Sequence, residues 1–116
     1  MFKLVFFVPR AQAEEVKLAL FEAGAGRYEK YDYCAYETEG TGQFRPLPES
    51  NPFIGRPGSV ERVQELRVEV LLRDNVVVPV IRTLLETHPY EEPAYEVYRV
   101  YQLDELEAGG ATGDNQ

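Results

Sequence analysis

Hydrophobic and polar residues follow two different periods along the first third of the chain. Residues 2–8 are apolar on both alternating sets, which predicts a central strand that is covered on both faces. Pro9 ends this strand, and residues 11–23 place their apolar side chains on one stripe, which predicts an amphipathic helix. Gly24 ends that helix, because glycine tolerates the left-handed backbone of a helix C-terminus. The aromatic-rich residues 31–38 predict a second strand.

The second half of the chain repeats this order of elements. Residues 66–72 alternate between apolar and polar side chains, which predicts a strand with one buried face. A helical stripe follows over residues 77–85, with Pro79 in the first turn, where a missing N–H costs nothing. The residue before a proline resists helical geometry, which predicts that this helix ends near His88. The last strand is predicted over residues 94–103.

Two segments carry no periodic pattern. Residues 39–59 are rich in glycine and proline and predict a long connecting loop, and loops of this length in small domains are usually functional or mobile. Residues 104–116 are polar, acidic and glycine-containing, which predicts a disordered tail. The ordered part is therefore expected to be a single domain over residues 1–103.

The order of elements predicts an α+β fold, the ferredoxin-like βαββαβ sandwich. Two strand–helix–strand halves with right-handed crossovers place two helices on one face of a four-stranded antiparallel sheet. Residues 31–38 and 94–103 then form the edge strands. Because the first strand is apolar on both sides and the edges carry many tyrosines, we expect copies of the chain to associate through the open face and the edges.

Composition narrows the classes of partner. The chain has 116 residues, 44% of them apolar, and a formal net charge of -8. An acidic domain repels phosphate backbones, so nucleic acid is not expected as a partner. A single cysteine excludes a disulfide within the chain. The N-terminal apolar run is too short for a secretion signal or a membrane span, so we expect a cytoplasmic protein without membrane contact.

Candidate chemistry is concentrated in the turn after the second helix, HPYEEPAY. His88 and Glu91 resemble a pair of metal ligands, yet a structural zinc site needs about four protein ligands. The alternative is structural, because an imidazole at a helix C-terminus complements the dipole and caps carbonyls. Glu91 and Glu92 either form an acid–base pair or belong to a solvated turn. With one histidine, no catalytic triad can be assembled.

The glycine-containing segment 40–46 is the second candidate. Glycines let backbone N–H groups converge on an anion, and Arg45 would add guanidinium donors. The segment is not a P-loop, because the lysine and hydroxyl of that motif are missing. Glycines equally serve tight turns, and Phe44 would then anchor the loop to the core. Binding and architecture both stay open.

Two sequence motifs carry a resemblance to a known family. Residues 38–46 (TEGTGQFRP) with residues 51–55 (NPFIG), and the turn 88–95 (HPYEEPAY), resemble the YqfO-type domain of the CutA/PII-like superfamily. The resemblance covers roughly residues 1–101 and implies the ferredoxin-like fold and a homotrimer. In many bacteria this domain is inserted in larger Nif-three-like proteins, whose flanking halves build a dinuclear metal centre. Those halves are missing from this sequence, so we expect a free-standing copy of the insert.

The resemblance implies a non-catalytic, trimeric module that binds a small ligand or a protein partner in clefts between subunits. The turn residues would then come from a neighbouring chain. One alternative is a CutA-like protein that binds divalent copper or zinc through His88. Another is a GTP-cyclohydrolase-like nucleotide hydrolase, by analogy with the larger host proteins. No cofactor other than such a metal is expected. The expected ligand-binding residues are Gly40, Thr41, Gly42, Gln43, Phe44, Arg45, Tyr90 and Glu91.

Overall fold

The four strands form one antiparallel sheet in the order β2-β3-β1-β4. The computed structural model describes residues 1–109. The predicted sandwich is confirmed, with two long helices against one face of the sheet and strands β2 and β4 at its edges. The elements in chain order are β1 (Phe2–Pro9), α1 (Ala13–Glu22), β2 (Tyr36–Phe44), β3 (Glu61–Leu72), α2 (Val77–Thr87), β4 (Tyr95–Arg99) and α3 (Leu103–Glu107).

The core lies between the sheet and helices α1 and α2. The even-numbered residues of β1 and β3 point toward the helices, as the alternation in residues 66–72 predicts. Burial of these apolar side chains supplies the main stabilisation of the fold, at roughly 25 cal/mol per Å² removed from water. The largest contributors are Leu4, Phe6, Val8, Leu66, Val68, Val70 and Leu72 from the sheet, and Val16, Leu20, Val80 and Leu84 from the helices.

The side of the sheet away from the two long helices, which we call the open face, carries both charged and apolar residues. Val5 lies on this face and is 0% exposed within the single chain. The guanidinium of Arg67 lies 5.9 Å from the centre of the Phe7 ring, and Lys3 Nζ is 3.2 Å from a carboxylate oxygen of Glu69. Some apolar side chains on the open-face side of β1 are therefore covered within the single chain, without a second copy.

Helix α2 begins and ends as the prolines predict. Pro79 lies in its first turn, and the helix ends at Thr87. The next residue, His88, has extended backbone with φ -69° and ψ 137°. None of the helices within residues 1–109 reaches the length and apolar content that a bilayer crossing requires.

The second strand lies later in the chain than expected. It spans Tyr36–Phe44 rather than residues 31–38, so the first six residues of the predicted loop 39–59 belong to it. The earlier segment cannot be extended, because Glu29 and Tyr33 have positive φ angles of 54° and 56°. Glycine-containing residues 40–42 become strand because the long strand β3 pairs with them.

The end of the described chain also differs from expectation. Strand β4 ends at Arg99 instead of residue 103. Residues 104–116 were expected to be a disordered tail, but Leu103–Glu107 form helix α3. The side chains of Gln102 and Glu105 cap its N-terminus reciprocally, which satisfies backbone N–H groups that the first turn leaves free. The remainder of the predicted tail, residues 110–116, lies outside the described residues.

Candidate functional site

The imidazole of His88 connects three parts of the fold. Its Nε2 lies 2.6 Å from the carbonyl oxygen of Phe7 in β1, and its Nδ1 lies 3.1 Å from the backbone nitrogen of Tyr90. A carbonyl only accepts and an amide N–H only donates, so Nε2 carries the proton and Nδ1 accepts. The ring is therefore neutral. Burial lowers the pKa of His88 below its ordinary value, and the bond to the Phe7 carbonyl opposes this shift only partly.

These contacts give His88 a structural task, although not the one expected. The ring bonds a carbonyl of β1 rather than a carbonyl of its own helix, and it is 6% exposed. A metal ion on His88 would have to replace one of the two hydrogen bonds. Within residues 1–109, no group of three or more His, Cys, Asp or Glu side chains has the spacing of a metal site. The two hydrogen bonds of the His88 ring can therefore hold the turn in a fixed orientation.

A carboxylate that was not predicted from the sequence lies buried next to the turn. Glu65 in β3 is 9% exposed, and its Oε2 accepts a hydrogen bond of 2.6 Å from the phenol of Tyr90. Burial, and then the hydrogen bond to the neighbouring carboxylate, raise the pKa of Tyr90 far above its usual value. The phenol is therefore a neutral donor, and it fixes the Tyr90 ring over the open face.

Gly42 is small because Glu65 occupies the adjacent space. A Cβ atom built at Gly42 would collide with the Glu65 carboxylate, whereas one built at Gly40 would meet nothing within 4 Å. Neither glycine has a positive φ angle, and both pair with β3 in the ladder. Of the two alternatives left open for these glycines, this arrangement favours architecture over convergence of N–H groups on an anion, since residues in an extended strand point successive N–H groups in opposite directions.

The two sequence motifs meet around one cavity of about 520 Å³. The Tyr90 ring centre lies 5.8 Å from that of Phe44 at the end of β2, and 6.4 Å from that of Phe53 in the following loop. The backbone N–H of Asn51 donates to Glu91 at 3.0 Å, which ties this loop to the turn. The contacts are made within one chain, whereas the turn was expected from a neighbouring subunit.

Most of the predicted ligand-binding residues line this cavity, but not all of them. Gly40 and Thr41 lie in β2 away from it, and His88 lies behind Tyr90 at a ring-centre distance of 5.0 Å. Sequence reasoning missed Glu65, because the strand was predicted over residues 66–72, whereas β3 begins at Glu61 and includes Glu65. The predicted residues that do line the cavity are Gly42, Gln43, Phe44, Arg45, Tyr90 and Glu91.

Ionisable groups around the cavity are predominantly acidic. One guanidinium, from Arg45, faces four carboxylates, from Glu49, Glu65, Glu91 and Glu92. Aromatic and aliphatic side chains fill the spaces between them. Such a cavity can hold a small molecule by apolar contact and orient it through a few polar groups.

Comparison with known proteins shows which of them this chain is similar to in sequence and in structure. No family model matches the chain. It is 41% identical over 111 residues to the GTP cyclohydrolase 1 type 2 homolog of Bacillus subtilis, an alignment that covers 96% of this chain and 30% of that protein. With the protein of the same name from Mycobacterium tuberculosis it is 44% identical over 96 residues, covering 83% of this chain and 25% of that one.

Solved structures agree in shape. The Bacillus cereus protein related to NIF3 superposes with a TM-score of 0.74 and 40% identity, over 87% of this chain and 26% of that one. The PII-like protein CutA from Nostoc sp. PCC 7120 superposes with a TM-score of 0.64 and 16% identity, over 96% of this chain and 91% of that one. The second similarity shows the fold alone.

The domain has the ferredoxin-like fold, which it shares with CutA and a PII-like CutA protein. Among proteins with this fold, the chain is homologous to one segment of the NIF3-related proteins named GTP cyclohydrolase 1 type 2 homolog. The resemblance to the YqfO-type domain is thereby confirmed. Because the chain spans only 25–30% of the two relatives described above, what those full-length proteins do is not evidence for what this chain does.

Proposed function

We propose that this domain is a non-catalytic module that binds a small ligand in the cavity between the end of β2 and the turn after α2. The observation that carries the proposal is the meeting of both sequence motifs around this one cavity. Its volume of about 520 Å³ lies within the range of small-molecule sites, about 300–1,000 Å³. The residues that line the cavity described here come from a single chain.

The contacts of the polar groups support binding rather than catalysis. General acid–base chemistry needs a group that is free to exchange a proton with a substrate. Both nitrogens of His88 are engaged with the backbone, the Tyr90 phenol donates to Glu65, and Glu91 accepts from the amide of Asn51. Glu65 keeps one oxygen that can accept a hydrogen bond from a ligand. No observation in the described residues favours the hydrolase or the metal-binding alternative.

We further propose that the chain assembles as a homotrimer. Large apolar side chains exposed at the sheet edges support this: Tyr36 on β2 is 67% exposed and Tyr98 on β4 is 47% exposed. Tyrosines are enriched at protein interfaces, where they bury large areas at low entropic cost. The ligand and the assembly are independent parts of the proposal and are tested separately.

The ligand proposal is tested by screening small metabolites of every charge class and repeating each hit on Phe44→Ala. Loss of one aromatic wall should weaken a cavity ligand by roughly tenfold, because an aromatic contact contributes about 0.5–1.5 kcal/mol beyond its area. Binding is measured by amide chemical shifts in a two-dimensional NMR spectrum. Arg62→Ala is the control, since Arg62 is exposed in β3 and does not line the cavity.

Two results would count against the proposal. Hits whose affinity is the same in wild type and Phe44→Ala would bind elsewhere. Hits that change amide chemical shifts mainly on the helices, far from Tyr90, would also bind outside the cavity.

A further inference from the structure

The charge of the cavity limits what can enter it. Four carboxylates and one guanidinium line the cavity, so its formal charge is strongly negative. Low-dielectric walls focus such a field and raise the local concentration of ions of opposite sign. A phosphate, a nucleotide or another anion would be repelled. This argues against anion binding, one of the two alternatives that the glycines and Arg45 leave open in the sequence.

Glu65 is the most buried of these carboxylates, and no cation offsets it. It is 9% exposed, and among residues 1–109 no Lys, Arg or His side chain lies within ion-pair distance of it. Its Oε2 accepts from Tyr90, while Oε1 lies against Gly42 and has no hydrogen-bond donor in the described part of the chain. Oε1 is not cut off from solvent, since no fully buried side-chain oxygen or nitrogen in the described residues lacks a hydrogen-bond partner. It is therefore an acceptor that a ligand entering the cavity can reach.

Aromatic rings stand beside this carboxylate. Phe44 and Phe53 both lie within ring-contact distance of Tyr90, at 5.8 Å and 6.4 Å between centres. The face of an aromatic ring attracts a cation electrostatically, and the same face packs against apolar groups. One ligand chemistry satisfies the carboxylate and the rings together, namely a positive group attached to an apolar body.

We infer that the cavity selects a small organic cation, a protonated amine or amidine on an apolar body, with Glu65 as its counter-charge. The positive group would donate to Oε1 of Glu65, and the body would contact Phe44, Phe53 and Tyr90. This inference rests on the proposed function and specifies its ligand class.

The experiment uses three probes of nearly equal shape and different charge: phenylbutylamine, phenylbutanol and phenylbutyrate. Each is titrated into the full chain at neutral pH, and dissociation constants come from the amide shifts around Phe44 and Tyr90. The cationic amine should bind at least about tenfold more tightly than the anionic butyrate, which corresponds to about 1.4 kcal/mol. The alcohol should fall between them.

Variants then locate the selectivity. Glu65→Gln keeps an acceptor for the Tyr90 phenol, so it should fold, and it should weaken the amine by about tenfold while hardly affecting the alcohol. Arg45→Ala removes a like charge and should strengthen amine binding. Glu86→Gln, exposed on α2 and away from the cavity, is the matched control and should change nothing.

The inference is overturned if butyrate binds as tightly as the amine, or if Glu65→Gln leaves amine affinity unchanged. It is also overturned if none of the three probes binds at millimolar concentration. Butyrate binding that is lost in Phe44→Ala would remove the charge selection and keep the cavity as a binding site. If no metabolite or probe shows a Phe44-dependent affinity, the proposed function is lost as well.

Discussion

The imidazole of His88 acts as a neutral connector between β1, α2 and the turn. Its protonated Nε2 donates to Phe7, and its bare Nδ1 accepts from Tyr90. Each bond ties the ring to a backbone group of a different segment. The shape of the turn, and with it the position of the Tyr90 ring, therefore depends on this one side chain.

Stability should depend on the protonation of His88. Its pKa is lower in the folded chain than the ordinary value of 6.5, so the unfolded chain binds more protons as the pH falls below 6.5. The stabilisation is fully present above pH 6.5 and is lost as the pH falls through the folded-state pKa. We predict that His88→Ala costs about 2–4 kcal/mol at pH 7.5, because two buried backbone groups lose their partner.

The measurement is urea unfolding of wild type and His88→Ala from pH 7.5 to pH 5. The difference in unfolding free energy between the two should shrink as the pH falls. Glu86→Ala is the control, since an exposed helical residue should change stability by no more than about 0.5 kcal/mol. A difference that stays constant or grows with acid would show that the histidine is not held neutral.

At the level of elements, strand β2 has a small residue where its neighbour β3 places a bulky side chain. Its two glycines look equivalent in the sequence, but only Gly42 faces the carboxylate of Glu65. Glu65 cannot move freely, because it is buried and holds the Tyr90 phenol. On the β2 side of the cavity, the Glu65 carboxylate therefore has room only because residue 42 is a glycine.

The two glycines make a matched pair of substitutions. Gly42→Ala should destabilise the fold by about 1–3 kcal/mol, because the new methyl group displaces the carboxylate and strains its hydrogen bond. Gly40→Ala, in the same strand with open space around it, should change stability by no more than about 0.5 kcal/mol. Both are measured by thermal and urea unfolding.

A double substitution identifies the cause of the effect. With Glu65→Ala in place, Gly42→Ala should lose most of its cost, which a double-mutant cycle reports as a coupling energy. Equal costs for Gly42→Ala in both backgrounds would mean that the carboxylate is not the obstacle.

Periodicity was enough to predict β1, the two long helices and residues 66–72 of β3, since each buries one regular stripe or face in the core. The first five residues of β3 were not predicted. It failed for β2, whose sequence YETEGTGQF has little strand propensity and becomes extended through nine residues of pairing with β3. For the cavity, motif recognition found the turn and the end of β2. The burial of Glu65 was not predicted, because it depends on the turn that contains Tyr90, which is distant from Glu65 in the sequence.

For the whole molecule, the proposed trimer depends on surfaces that the single chain leaves exposed. Light scattering coupled to gel filtration should give three times the chain mass of 13.2 kDa. Tyr36→Lys should give single chains, because an interface at this edge would bury the new charge without a partner, whereas Tyr36 is 67% exposed in the single chain.

The matched control for the assembly is Val78→Lys. Val78 is an apolar residue of similar exposure, 57%, but it lies on α2, on the opposite side of the sheet from the open face. It should leave the mass unchanged. A wild-type mass of one chain at high concentration would remove the trimer, while the cavity of the single chain would persist.

The hydrogen bond between Phe7 and His88 joins residues 81 positions apart. During synthesis Phe7 leaves the ribosome early. Its carbonyl can form this hydrogen bond only after His88 has also been translated, when most of the chain has been made. The support beneath the Tyr90 ring is therefore completed late, after β1, β2 and β3 have been synthesised. A nascent or truncated chain could hold much of its core and still offer nothing for a ligand to occupy.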